Sequence, residues 1–200
     1  LLTIDAAGGG TGMSHWRMMN EWGIPTVYLE CMMYDMCEKL KAKGAYIPPM
    51  AIAGGLSLED HLFKALALGA PYVKAICLGR ALLTAAMVGK TNGRTTAEKM
   101  ESEGATAEDG YMGLFAVASQ LKERFGDDFK NLPAGAIGVY SYIDRLKQGL
   151  QQLMAGARKF ALPYIDRNDI VALTRESASV SGIPYVMDCD QKEIDAIMNS

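Results

Sequence analysis

Up to about residue 90 the chain alternates short apolar runs with stretches of helical spacing. Leu1–Asp5 reads as a buried strand that ends at the loop Gly8-Gly9-Gly10-Thr11-Gly12. Leu29, Met32, Met33, Met36, Cys37 and Leu40 recur at steps of three and four, which predicts a helix over 28–43 with that face inward and Gly44 as its stop. Pro48-Pro49 lead into a second strand, Met50-Ala51-Ile52-Ala53, closed by Gly54-Gly55. Ser57 followed by Glu59 and Asp60 predicts the next helix start: the Ser57 hydroxyl accepts from the amide of residue 60, and the acids sit at the positive end of the helix dipole. Leu58, Leu62, Ala65 and Leu66 form its expected apolar face, and Gly69 closes it. After Pro71 comes a third strand, Tyr72 to Leu78, ending at Gly79-Arg80, where another apolar helix begins. Strand, glycine loop and helix, three times over, predict an α/β fold with a parallel sheet.

The pattern changes around residues 89–106, where glycines, threonines and mixed charges lack apolar periodicity. The expected organisation is therefore a first domain over 1–90, a linker over 91–106 and an α-helical extension over 107–200. In the extension Tyr111, Leu114, Phe115, Ala118, Leu121 and Phe125 make one helical face. Val139, Ile143, Leu146, Leu150, Leu153, Ala157 and Phe160 make a heptad-like seam. Glutamines at 148, 151 and 152 flank the seam instead of charges, so packing within the chain is favoured over a coiled coil. Two smaller helices are expected around 167–178 and 190–198.

Composition narrows the function classes. Half of the 200 residues are hydrophobic, which excludes a mostly disordered chain. Twenty basic against 23 acidic residues leave a net charge of −3, the wrong sign for a nucleic-acid binder. The longest uncharged apolar runs are far shorter than the roughly 18–20 residues a membrane span needs. Cys31, Cys37, Cys77 and Cys189 are too scattered for a Cys-x-x-Cys site and read as free thiols of a reducing, cytoplasmic setting, with Cys31 and Cys37 as small buried hydrophobes. No Cys/His set has metal-ligand spacing.

The candidate chemistry sits in the glycine loops. Glycine admits positive φ and close backbone approach, so amides at strand ends can cradle an anion. In a parallel α/β barrel the loops after the last two strands often hold a phosphate. Gly54, Gly55, Gly79 and Arg80 fit that pattern, Arg80 adding a charged donor fork. The alternative is that these are tight turns and nothing more. Gly8–Gly12 has neither a Walker lysine nor the spacing of a dinucleotide fingerprint. It is either a ligand-facing loop with Thr11 and Ser14 as donors or a flexible connection. His15 is a possible acid–base group without a visible partner, and His61 reads as a solvated surface group.

The stretch Asp5-Ala6-Ala7-Gly8-Gly9-Gly10-Thr11-Gly12-Met13-Ser14, with Gly23-Ile24-Pro25 behind it, resembles the Gly-Gly-Thr-Gly-x-Ser loop of the FMN-binding domain of glutamate synthases. Ala51–Gly55, Lys64–Ala70 and Leu78-Gly79-Arg80 are similar to the flavin-phosphate end of FMN barrels. Gly135–Gly138 and Gly149–Gly156 look like the C-terminal region of stand-alone FMN-binding glutamate synthase family proteins. The resemblance implies the last three βα units of a (β/α)8 TIM barrel followed by the helical extension. It implies an oxidoreductase that forms glutamate from 2-oxoglutarate and ammonia through reduced FMN, with a ferredoxin or another electron donor. Gly54, Gly55, Gly79 and Arg80 would hold the FMN phosphate, and Gly9, Gly10, Thr11 and Ser14 would border the flavin and the 2-oxo acid. Glu30 is a further active-site candidate on the same ground.

Two positions depart from the family. Ala53 stands where the family has an Asp suited to the ribityl hydroxyls, and Ala81 to Thr91 carries none of the three cysteines that ligate an iron–sulfur cluster. The segment therefore supports FMN and no cluster. The family's catalytic lysine falls on a strand upstream of Leu1, so the expected partner is the N-terminal part of the barrel, and the chain by itself is expected to show little turnover and weak FMN affinity. Two other classes stay open: a barrel of the IMP dehydrogenase or glycolate oxidase type that binds a phosphorylated ligand, and a non-catalytic assembly module using the 139–160 seam.

Overall fold

The three apolar runs form β1 (Leu2–Asp5), β2 (Met50–Ala53) and β3 (Val73–Ile76), which pair in parallel in the order β1-β2-β3. Leu2 to Asp5 lie opposite Met50 to Ala53, and β2 meets β3 across an irregularity between Met50 and Ala51. These facts come from a computed structural model of the chain, which describes residues 1–9 and 13–199. The described residues divide into two units, Leu1–Cys77 with Gln152–Ser200, and Leu78–Gln151. The architecture is mixed α/β, mostly helical, with this small parallel sheet in the first unit.

In the first unit β1 leads through α1 (Trp16–Asn20) to α2 (Thr26–Ala42), and β2 leads to α3 (Glu59–Leu68). β2 is the central strand; Ile52 is fully buried and packs with Met33, Cys37, Met50, Ala65, Tyr72 and Val73. The α2 helix is where the sequence puts it, but its inward face is rotated from the expected one. Glu30, Cys31, Met33 and Cys37 are buried, whereas Met32, Met36 and Leu40 are exposed. Cys31 and Cys37 thus occupy the core as expected, with free thiols. Apolar residues on both sides of α2 make the periodicity fit two phases, and packing against β2 selects one of them.

The start of α3 also differs from expectation. Leu58 is the N-cap residue, with no side-chain cap, and the Ser57 N–H donates to Nδ1 of His61 at 3.3 Å. His61 is therefore a half-buried capping group rather than a solvated one. Phe63, Ala65, Ala67 and Leu68 form the buried face, while Leu58 is exposed.

The second unit begins with α4 (Arg80–Ser102), which runs through most of the segment expected to be a linker. Arg94–Glu98 and Lys99–Glu103 pairs one turn apart support its exposed side. Its glycines are packing positions, not breaks. A methyl group placed on Gly89 would stand 2.9 Å from the Gly138 Cα, and one on Gly138 would stand 2.7 Å from the Ala85 carbonyl oxygen. Gly138 belongs to α7 (Ala134–Gly156), so the two helix backbones touch where side chains are absent. Between them α5 (Ala107–Leu114) opens on a Thr106–Asp109 capping box, and α6 (Ala118–Phe125) follows after a break at 115–117. The expected face over 111–125 thus lies on two helices. Phe115, Val117, Ala118 and Leu121 close around Phe129 and Ile137 as this unit's core. Of the expected seam, Leu146 is buried, whereas Ile143 and Leu153 are exposed and Phe160 is beyond the helix.

The chain then returns to the first unit. The helix expected over 167–178 is instead a 3-10 turn at Arg167–Asp169 followed by α8 (Arg175–Ser181), because Asp166 caps the turn and Thr174 starts the helix by accepting from the Ser177 amide at 3.0 Å. Ala172 between them bridges to Tyr185. The last helix, α9 (Gln191–Met198), matches its expected place.

Arg167 ties this segment down. Its guanidinium donates to the Leu68 carbonyl at 2.5 Å and to the Ser181 carbonyl, and it stacks 3.8 Å from the centre of the Tyr34 ring.

The Gly89–Gly138 contact yields a stability test. Gly89→Ala forces two backbones apart and should cost about 1–3 kcal/mol. Gly113→Ala, in a helix with nothing within 4 Å of the added methyl group, should gain up to about 1 kcal/mol. Urea unfolding of the two variants checks the opposite signs.

Candidate functional site

The loops after β1 and β2 come together at the carboxyl ends of the sheet. Gly8, Gly54 and Gly55 all have positive φ. A methyl group on Gly8 would stand 3.3 Å from the Gly55 backbone, and one on Gly54 would stand 2.6 Å from the Thr26 Oγ1. That hydroxyl, at the start of α2, donates to the Gly54 carbonyl at 2.6 Å. Packing of one loop on the other therefore accounts for glycine at 8 and 54. Gly55 is different: it is exposed, and the nearest atom to an added methyl group is the Gly8 Cα at 4.0 Å. The space that a Cβ would fill there is compatible with a phosphate held on backbone amides. Ala53 offers no carboxylate for a ribityl chain, so the fit to FMN rests on the phosphate end.

The other expected residues are distributed as follows. Gly9 follows Gly8 and lies over the Asp5 carboxylate, where even a methyl group has no room. Gly10 and Thr11 lie outside the described residues, and Ser14 is half-buried. His15 is the N-cap of α1, its Nδ1 accepting from the Arg17 N–H at 3.3 Å, which gives it a structural partner. Gly79 and Arg80 belong to the second unit, where Gly79 is the N-cap residue of α4 and Arg80 is exposed. Gly79 has negative φ, so backbone strain does not demand glycine there.

A second feature was not legible as a site. The first turns of α2, the body of α3 and the segment 170–183 line a cavity of about 790 Å³. Its walls are mainly apolar, with Leu56, Leu68, Ala172 and Ile183 among them, and Glu30 faces it. Glu30 is 1 % exposed, and its Oε1 has no hydrogen-bond partner. That oxygen lies beside Gly69, where a methyl group would come within 2.6 Å of it. Burial pushes the Glu30 carboxyl up to about 8, with the Arg167 charge pulling the other way. Arg167 acts on Glu30 through space, while its two terminal nitrogens donate to the Leu68 and Ser181 carbonyls. Only the family resemblance pointed to Glu30; the helical periodicity did not, since the expected inward stripe omitted it.

No group of His, Cys, Asp and Glu among the described residues could hold a metal ion, and none of their helices is long and apolar enough to cross a membrane. No protein-family model, curated protein or solved structure matches the chain.

The Glu30 environment sets a pH dependence. Between its ordinary value of 4.5 and about 8 the folded chain retains a proton that the unfolded chain has lost, so stability falls as pH rises through this window. The loss is on the order of 5 kcal/mol by pH 8. E30Q keeps the shape and cannot ionise, so its unfolding midpoint should change much less between pH 5 and pH 8 than that of the wild type. Equal slopes in the two proteins would remove Glu30 as the cause.

Proposed function

We propose that the chain carries the flavin-phosphate end of an FMN-dependent oxidoreductase of the glutamate synthase type, built on the last βα units of a (β/α)8 barrel. The observation that carries the reading is the convergence of Gly8, Gly54 and Gly55 at the carboxyl ends of parallel strands in sequential order. Sequential parallel neighbours are what a barrel requires, and ligands of such barrels lie at this end.

In this reading the amides around Gly54-Gly55 bind the phosphate and Gly9 borders the flavin. FMN, when bound, supplies the hydride chemistry for reduction of a 2-oxo acid or its imine. The chain's own part is placement. Thr26, by holding the Gly54 carbonyl, fixes the direction in which the loop presents its amides. A ferredoxin or another electron donor supplies the electrons, since Cys77, directly after β3, has no neighbouring cysteines with which to hold a cluster.

Titration of the chain with FMN and with riboflavin tests the phosphate end directly. FMN should bind roughly 10-fold tighter or more than riboflavin, because the charged phosphate alone reaches the glycine loop. Gly55→Val, which fills the open side of the loop, should abolish that preference. Equal affinity for the two flavins overturns the reading. Ala53 favours one alternative, a barrel for a phosphorylated ligand without redox chemistry. In that case inorganic phosphate protects the Gly54 and Gly55 amides from hydrogen exchange while neither flavin binds.

A further inference from the structure

The cavity around Glu30 is separate in chemistry from the glycine loops and does not depend on the flavin reading. A carboxyl group removed from water without a partner is costly, and folded proteins pair nearly all such groups. Here the group is not merely trapped in a core. It lines an open space large enough for a small organic molecule, with mainly apolar walls, while its unpartnered Oε1 is buried beside Gly69. The polar groups nearby are largely engaged elsewhere. The Thr26 hydroxyl donates to Gly54, the Ser181 hydroxyl to the Ser177 carbonyl, and Lys64 pairs with Asp60. His61 accepts the Ser57 N–H. Glu30 is left as the deep polar group with bonding capacity unused, and Glu176 of α8 adds a second carboxyl to the lining.

We infer that this cavity binds a small primary amine with an apolar body, its ammonium group seated on the Glu30 carboxylate and its hydrocarbon against Leu68, Ala172 and Ile183. Three features select an ammonium over other head groups. It brings up to three donors to a group whose Oε1 lacks one. It brings a positive charge into a low-dielectric space where a lone carboxylate is unstable, and so makes the ionised form of Glu30 the favoured one. A carboxylate or phosphate head would instead meet Glu176 with like charge and would gain nothing from ionisation of Glu30. Arg167 does not compete for the place, being fixed on the Leu68 and Ser181 carbonyls and the Tyr34 ring.

The charge change has a countable consequence. Glu30 is mostly protonated at neutral pH, so seating an ammonium ion releases its proton to solvent while no other bond is made or broken. The titratable and charged groups around it are Arg167 from the C-terminal segment, Cys31 from α2 itself, and, along the cavity, His61 and Lys64 from α3 and Glu176 from α8. Arg167 opposes the incoming charge and Glu176 favours it. Lys64 is paired with Asp60, which offsets its charge.

The test is calorimetric titration of the full chain with 2-phenylethylamine, and with 2-phenylethanol as the uncharged counterpart, in two pH 7 buffers of different ionisation enthalpy. The amine should bind roughly 10-fold tighter or more than the alcohol, releasing close to one proton per molecule bound at pH 7 and almost none at pH 9. Glu30→Gln should bring the amine down to the affinity of the alcohol and end the proton release. Val180→Trp, which fills the cavity from α8 without touching Glu30, should weaken both ligands together and guards against an E30Q chain that fails to fold. Equal binding of amine and alcohol, absence of proton release, or full amine affinity in a folded E30Q chain would each overturn the assignment. Failure of either flavin to bind leaves the amine result unchanged, so the two readings fail separately.

Discussion

Arg167 holds together parts of the first unit that are far apart in sequence. One arm of its guanidinium reaches the last turn of α3 at Leu68, the other reaches the end of α8 at Ser181, and its face covers Tyr34 on α2. A planar fork can do all three at once, which a lysine ammonium cannot. The carbonyls it satisfies lie at helix ends, where backbone acceptors lack partners within the helix. The cavity exists because of this anchor: segment 170–183 forms its outer wall, and the anchor fixes where that wall stands over α2 and α3. The same charge lies close enough to Glu30 to moderate its protonation, yet it is too committed to neutralise it.

At the sheet the governing constraint is backbone proximity. Gly8 and Gly54 are glycines because loops after neighbouring strands press on each other, and Thr26 locks them through one hydrogen bond. That explanation needs no ligand. Gly55 is required by its left-handed backbone, and it differs from the other two in that the side a Cβ would fill is open. The distinction matters for reading glycine-rich loops generally, since a run of glycines mixes positions set by packing with positions that face something else.

Much of the first unit was legible in the sequence. Met50–Ala53 was placed to the residue, because a short apolar run between Pro-Pro and Gly-Gly leaves a central strand no freedom to shift. Helix α2 was found and its facing was not: Met32, Met36 and Leu40 are apolar but exposed, while an acid at position 30 is buried. Periodicity weighs residues by type, and here type and burial disagree at the residue that matters most. Glycines misled at α4 in the opposite way, since Gly89 and Gly93 mark where another backbone or side chain approaches a continuing helix, not where the helix stops. Arg167 left no local signal at all. Its role depends on carbonyls of α3 and α8 and a ring of α2 that only the fold brings to it.

The first unit is discontinuous: Leu78–Gln151 intervenes between its sheet and its closing segment. During synthesis the sheet and α2–α3 emerge well before Arg167, so for that interval the Leu68 carbonyl and the Tyr34 ring wait without their guanidinium. The second unit has its own core, around Phe129, and can form in the meantime. Its folding brings Ala134 and Gly138 against α4, drawing residues 78 and 151 into one folded body and shortening the effective loop that the C-terminal segment must close. The inserted helices thereby act on folding order as well as on structure. Weakening the Gly89–Gly138 crossing would delay closure of a cavity to which neither residue belongs.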